Sequence, residues 1–333
     1  MRIVAVVPSL GQSPWQTEML TALRAELATH AAALIWVHQG TEPAPQLSAE
    51  RERLIRLPQP CGFAAAVNAG IAAIADVDES DALAAIDAIA VVNDDLIVSP
   101  GWLAALTEGL AARPQAAAVQ GMNLELDRPE RIEGCGLEWN RSWQAVQTLA
   151  GSVADAALAP LAAPFEIFGV SATAALYRRS ALVEVAENGT PLRAFDERLG
   201  SYYEDVELAV RLRAADWQSW CIPAARARHA GQATAGRRPL SRWRSIYRNR
   251  LLVVHQLLGA RFLRTLPRLA VRDLRDFARA LLSGDAARAP AILMGWWAAL
   301  VSARRSTDSS GIEHRGSARA LAAAERLRIG SSG

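Results

Sequence analysis

The chain has 333 residues, 51% hydrophobic and 21% charged, a balance that excludes a disordered polypeptide and leaves room for one large core or two modest ones. Its net charge of +2 hides a segregation: every basic residue is Arg, and residues 1–236 carry 17 of them against 28 acids, residues 237–279 carry 12 against 2, and the remainder 7 against 4. So local a cationic block predicts an anionic partner, lipid headgroups or nucleic acid, joined to an acidic body of the kind enzymes have.

Met1 and Arg2 lead straight into the apolar run Ile3–Val7, without a charged leader, a long apolar segment or a small-residue cleavage site, so a chain that stays in the cytoplasm is expected. Short apolar runs then alternate with segments of helical period: Ile3 to Val7 and Gln16 to Thr29; Leu34 to His38; Leu54 to Leu57 and Ala64 to Ala75; Ala88 to Val92 and Trp102 to Ala112; Ala117 to Gln120. This is an α/β signature. Parallel strands in such a sheet end along one edge, so the loops after Val7, His38, Leu57 and Val92 should converge on one ligand crevice. From 121 to 178 the pattern is irregular and β-like, with an apolar run from Phe165 to Tyr177. A helix is expected to start near Tyr203, and Trp217 to Ile222 reads as a further strand. From Pro239 to about Arg304 the chain reads as helical. Three parts follow: an α/β body over 1–236, a basic amphipathic helical region over 237–304 and a peripheral tail over 305–333. Cys61, Cys135 and Cys221 form no C-x-x-C pair, and their odd number argues against a disulfide framework, so they are read as small buried thiols.

Asn93-Asp94-Asp95 directly follows the apolar run Ile89–Val92. Two carboxylates at a strand's carboxyl end make a hard oxygen site suited to Mg2+ or Mn2+, while a polar turn closing a strand is the competing reading. In Tyr202–Leu212, helical spacing gathers Val206, Leu208, Ala209, Val210 and Leu212 into one apolar arc, with Glu207 and Arg211 opposite as an i,i+4 pair. Asp205 falls inside that arc and Glu204 on the charged side. A carboxylate in a partly dry place gains proton affinity and can serve as a general base; the helix dipole also favours an acid in a first turn. His229, in Arg228-His229-Ala230-Gly231-Gln232, is expected in a loop after the last strand. The small residues of Gly62–Ile71 leave a helix surface open to close approach, although Ala-rich packing explains most of that stretch.

Taken in order, these segments resemble the family 2 glycosyltransferases, in particular the rhamnosyltransferase-like members that build bacterial cell-surface polysaccharides. The resemblance runs from residue 1 to about 255 and rests on Gly62–Ile71, on Asn93–Asp95 with Val98–Leu103, on Tyr177–Leu182, on Phe195-Asp196-Glu197, on Tyr202–Asp205, on His229 and on Tyr247-Arg248-Asn249-Arg250. It implies a GT-A fold, a Rossmann-like, mostly parallel open sheet with flanking helices, here carrying a C-terminal helical extension. It implies Asp95 as a metal ligand, Asn93 at the first position of the family's D-x-D, His229 as a further ligand, Asp94 near the donor's ribose or sugar, and Asp205 as catalytic base with Glu204 beside it. Pro8, His38, Gly62 and Asn68, with Asn93 and Asp94, complete the donor site expected at the strand ends. Two departures stand out: Val37-His38-Gln39-Gly40-Thr41 replaces the usual V-D-N-G-S, and Val7-Pro8-Ser9-Leu10 replaces a Thr-Tyr-Asn type run.

The implied reaction is inverting transfer of a rhamnose-like or other hexose from a dTDP- or UDP-sugar to a hydroxyl of a lipid-linked saccharide. The arginines between 242 and 279 interleave with Trp243, Leu251, Leu252, Phe262, Leu263, Leu266 and Phe277, as in helices that lie on anionic lipid. Ala289–Val301 is an apolar run shorter than the roughly 20 residues that span a bilayer, so peripheral attachment at the inner membrane face is expected. Solvated helices packed on the body or on a second subunit are the other reading of this region. A nucleotidyltransferase would need a Gly-rich loop and a basic residue that Ser9–Ser13 lacks. An RNA-binding protein would use the Arg block on phosphates but leave Asn93–Asp95 and Asp205 without a role, so no nucleic-acid partner is expected. A degenerate, non-catalytic GT-A protein is the remaining alternative, given His38.

Overall fold

All seven residues of β1 (Ile3–Ser9) are buried, because a central parallel strand is covered on both faces and its side chains alternate between them. Val4 and Val6 join Val67 and Ile71 on one side; Ile3, Ala5 and Val7 join Leu20, Leu23 and Leu106 on the other. The computed structural model describes the chain except residues 31, 49, 76–85, 155–161, 187–192, 232–239, 307–314 and 329–333. After β1 come α1 (Gln16–Thr29), β2 (Ala33–His38), β3 (Glu52–Arg56), α2 (Phe63–Ala75), β4 (Ala88–Val92), β5 (Leu96–Val98), α3 (Trp102–Ala111) and β6 (Ala116–Glu125). Next are β7 (Ile132–Gly134), β8 (Leu137–Trp139), β9 (Ala145–Gln147), β10 (Phe165–Ile167), β11 (Ala174–Arg178), α4 (Arg179–Val185), α5 (Glu204–Ala214) and β12 (Gln218–His229). Four helices close the chain: α6 (Leu240–Leu258), α7 (Phe262–Leu282), α8 (Arg288–Ser306) and α9 (Arg315–Arg326).

The main sheet runs β10-β12-β6-β11-β4-β1-β2-β3. Strands β4, β1, β2 and β3 are mutually parallel, β12 is parallel to β6, and β11 is antiparallel to both β4 and β6. The carboxyl ends of β1, β2, β4, β6 and β12 and the amino end of β11 therefore share one edge, which is the expected crevice.

Four expectations need correction. The last strand is twice as long as Trp217–Ile222, because Ala225 and Ala227 turn inward while Arg226 turns to solvent, a period-2 pattern hidden by its charges. His229 therefore ends a strand rather than sitting in a loop. Helix α8 crosses the expected 304/305 boundary, and α9 is no peripheral tail: Ala320 and Leu321 are buried in a third core with Val206, Val210, Leu257 and Leu269. Finally, Cys61 is exposed, while Cys135 and Cys221 are buried as expected. The 236/237 boundary and Gln232 lie outside the described residues.

Candidate active site

Beyond β4 the Asn93 amide donates to the Thr173 carbonyl at 2.8 Å, and the chain turns into β5, which pairs antiparallel with β12 in a register that sets Leu96 opposite His229. The register brings Asp95 and His229 side by side, with Asp95 Oδ1 3.0 Å from His229 Nε2. The other ring nitrogen, Nδ1, lies 2.7 Å from Glu133 Oε1 on β7. Burial opposes a charged imidazole here, but hydrogen bonds and charge from Asp95 and Glu133 outweigh it and push His229 up to about 10. Asp94 turns the other way and accepts from Ser9 Oγ at 2.6 Å. Burial, opposed by that hydrogen bond and reinforced by the Asp95 charge, pushes the Asp94 carboxyl up to about 6.

The second acidic element enters this edge through residues 171–173. Asp205, partly buried in the first turn of α5, accepts from the amides of Val206 at 2.8 Å and Ala172 at 3.3 Å. Residue 173 is the same one that holds the Asn93 amide, so one short segment joins Asp205 to the turn carrying Asp94 and Asp95. Glu204 is 7% exposed, and its Oε2 has no hydrogen-bond partner among the described residues. Burial raises the carboxyls of Glu204 and Asp205, and the Asp205 charge drives Glu204 further, well above the usual range. The amides of Val206 and Ala172 favour the ionised form of Asp205 and oppose that rise.

Residues 3–250 match the family model described as "Glycosyltransferase like family 2". The chain belongs to this family. An N-acetylglucosaminyl-diphospho-decaprenol L-rhamnosyltransferase of Mycobacterium tuberculosis is 28% identical to this family member over 258 residues, covering 72% of this chain and 78% of the relative. The S. aureus TarS 1-349 structure in complex with UDP-GlcNAc matches with a TM-score of 0.52 at 11% identity, over 98% of this chain and 90% of that one. GalNAc-T7 with UDP, GalNAc and Mn2+ matches with a TM-score of 0.51 at 10% identity, over 69% of this chain and 44% of that one. Both likenesses are of fold: an α/β molecule with a mostly parallel central sheet, joined here to a C-terminal helical region.

In this family member the Gly62–Ile71 stretch does something other than expected. The amides of Phe63 and Ala64, at the start of α2, are taken by Ser201 Oγ at 3.1 Å and the Gly200 carbonyl at 2.9 Å. Gly62, at φ +89°, lies against Gly200, where any Cβ would stand 3.0 Å from backbone. Asn68 donates to the Phe195 carbonyl at 2.8 Å and to Glu197 Oε1 at 3.0 Å, and accepts from the Phe195 amide at 3.0 Å. Gly62 and Asn68 are thus positioning residues for the loop leading into α5, not open contacts for a donor. Pro8 is buried inside β1 opposite Val37, and the side chain that reaches the crevice at this strand end is that of Ser9. His38 is 1% exposed with Nε2 2.7 Å from the Glu42 carbonyl, a packed ring at the end of β2. Nor is Glu204 on a solvated helix face: α5 buries Glu204, Glu207 and Arg213 as well as its apolar arc, because neighbouring elements cover it on the charged side too.

The same loop is held from the other side by α6. Asn249, fully buried, donates to the carbonyls of Leu199, Ser201 and Tyr202 at 2.8, 3.2 and 2.7 Å, and Arg248 donates to that of Arg198 at 3.0 Å. This grip matters because Tyr202 and Tyr203 both have positive φ, of 72° and 71°, a conformation costing about 1–2 kcal/mol per residue. Ser9, Glu133 and Asn249 were missed as site residues. Asn249 was legible only inside the Tyr247–Arg250 motif, and Glu133 only as the polar member of an Ile-Glu-Gly strand.

Among the described residues, no group of three or more His, Cys, Asp or Glu side chains is arranged to hold a metal ion. The Asp95–His229 pair nevertheless suits one, since two ligands each about 2.1 Å from an ion and at right angles stand about 3 Å apart. Asn93 Oδ1, in the same turn, is buried without a hydrogen-bond partner among the described residues. Glu133 sits behind the far ring nitrogen, where a carboxylate commonly orients a metal-bound His. This donor set fits a hard divalent cation.

Proposed function

We propose that this glycosyltransferase moves a hexose, rhamnose or a close relative, from a nucleotide diphosphate sugar, dTDP- or UDP-linked, onto a hydroxyl of a lipid-linked saccharide, with inversion, at the inner face of a membrane. The observation that carries the reading is the convergence of Asp205 with the Asp94–Asp95–His229 cluster through residues 171–173. Asp205 takes the proton of the acceptor hydroxyl while that oxygen attacks the anomeric carbon and the bond to the diphosphate breaks on the opposite face; one displacement inverts the centre. Burial beside it pushes the Glu204 carboxyl toward its neutral form, which lowers the negative charge facing the incoming oxygen. Asp95, His229 and Asn93 would hold Mg2+ or Mn2+, which when bound supplies positive charge against the departing diphosphate. The relative from Mycobacterium tuberculosis, named for a diphospho-decaprenol substrate, supports the lipid-linked acceptor.

Attachment to a surface has its own support. On α7, Leu263, Val271, Leu274, Leu281 and Leu282 are exposed in one stripe, with Arg264, Arg268, Arg275 and Arg279 exposed along its flank. Among the described residues no helix is long and apolar enough to cross a membrane. An in-plane helix with this division buries its apolar face at the headgroup boundary. The test of the reaction is Asp205→Asn with Mn2+ and a panel of dTDP-, UDP- and GDP-sugars. Turnover falls about 10² to 10⁴-fold while donor-induced thermal stabilisation persists, and EDTA abolishes turnover in the wild type. Unchanged turnover in the variant removes Asp205 from the role of base.

A further inference from the structure

Helices α6 and α8 enclose a groove of about 760 Å³ whose two walls differ in chemistry. One wall is cationic, formed by Arg244 and Arg248, one turn apart on α6, and by Arg198 from the loop before α5. The other is apolar, formed by Leu293, Met294 and Trp297 of α8, which are 61%, 43% and 70% exposed. The helices approach closely because Gly295 faces α6: a Cβ there would stand 2.7 Å from Tyr247 Cβ and 3.1 Å from the Arg244 carbonyl.

The cationic wall is under-neutralised. Arg198 is paired with Asp196 at 2.8 Å, whereas Arg244 and Arg248 have no carboxylate partner among the described residues. Arg248 is instead held in place by the Arg198 carbonyl at 3.0 Å, Asn249 Oδ1 at 2.8 Å and Ser302 Oγ at 3.3 Å. Two guanidinium groups that form no ion pair among the described residues, set opposite exposed hydrocarbon, are complementary to an amphiphile with a compact anionic head. The loop that supplies Arg198 to this wall runs through Tyr202 and Tyr203 directly into Glu204 and Asp205, so the groove and the candidate base share one short segment of chain.

We propose that this groove binds the prenyl diphosphate portion of the acceptor, with Arg244 and Arg248 on the diphosphate and Leu293, Met294 and Trp297 along the first isoprene units. The proposal rests on the reading of a lipid-linked acceptor and locates its carrier on the Asp205 side of α6. An acceptor anchored there presents its sugar to Asp205 while its hydrocarbon leaves along the exposed apolar stripe of α8.

Calorimetric titration of the full-length protein with farnesyl diphosphate, in EDTA so that no metal assists a diphosphate at the donor site, tests it. The wild type binds farnesyl diphosphate more tightly than either farnesol or inorganic diphosphate. Arg244→Ala/Arg248→Ala weakens farnesyl diphosphate about tenfold or more. Arg244→Glu, at an exposed position with no ion pair among the described residues, has the same effect and guards against misfolding of the double variant. Trp297→Ala weakens farnesyl diphosphate but leaves inorganic diphosphate unchanged. Equal affinity for farnesol, or unchanged affinity in both arginine variants, overturns the proposal. So does a loss confined to binding of phosphatidylglycerol vesicles, which would assign the arginines to bilayer headgroups. Thermal stabilisation by a nucleotide sugar with Mn2+, measured on the same proteins, separates this outcome from failure of the transferase reading: loss of that response in the wild type sinks the reaction, not the groove.

Discussion

In the α/β body Asp94, Asp95, Glu133 and His229 crowd at one sheet edge, whereas in α6–α8 the acids turn inward and the arginines that form no ion pair among the described residues turn out. Asp273 and Asp276, the two acids of residues 237–279, are 2% and 6% exposed. Asp273 meets Arg250, Arg272 and the Trp296 indole; Asp276 meets Arg272, Arg288 and Tyr247. The body is organised by apolar strands and concentrates charge for chemistry. In the extension, buried charge organises the packing, and the surplus cations are left for a surface or a ligand.

The contrast can be broken most forcefully at Asp273. Asp273→Asn leaves Arg250, 1% exposed, without its counter-charge and should cost about 3–5 kcal/mol, read as a lower urea midpoint for loss of helical signal. A cost below about 1 kcal/mol would show that the buried pair does not organise the extension. Next in size is Asn249→Ala, which removes three donated hydrogen bonds at the junction of the two regions and the one accepted from Arg248. It should cost about 1–3 kcal/mol and lower kcat more than it raises the donor KM, because the strained Tyr202–Tyr203 turn ahead of Asp205 loses its grip. An unaltered kcat would mean that the extension does not position the base.

A pH experiment sharpens the same boundary. Burial first, and the Asp205 charge second, hold Glu204 well above the carboxylate range, so the native state binds a proton that the unfolded chain releases. The stability this group contributes is therefore present at low pH and declines as pH rises above the ordinary carboxylate value, and Glu204→Gln should flatten the fall in Tm on that rising-pH side. An unchanged slope would show that Glu204 is not the group holding that proton. The smallest effect on stability is expected on α7: Leu274→Ser/Leu281→Ser, at positions 66% and 61% exposed, should change stability by no more than about 0.5 kcal/mol yet reduce co-sedimentation with anionic vesicles. Unaltered sedimentation would leave the arginine flank alone to account for any attachment.

Local pattern determined the α/β body, because Ile3–Val7, Leu34–His38 and Ala88–Val92 are buried on both faces and announce it as unbroken apolar runs. It also singled out Asp94, Asp95, Asp205 and His229, since polar residues at strand ends and at a helix start break that pattern. What these side chains touch was decided by register and by packing between distant segments. The pairing of Leu96 with His229 brings Asp95 to the imidazole across 134 positions, and Glu133 arrives on a strand too short to announce itself. Asn68 and Gly62 read as donor contacts because small and polar residues near a helix start can serve either a ligand or a neighbouring loop, and only the docked 195–201 segment shows which. Helix α9 looked peripheral because its short Ala-rich face gains its burial from distant elements, chiefly α5 and α6 with β8 beside them. Hydrophobic period reports that a face will be covered; the covering partner is chosen by the tertiary fold, where burial energy depends on surfaces far apart in the chain.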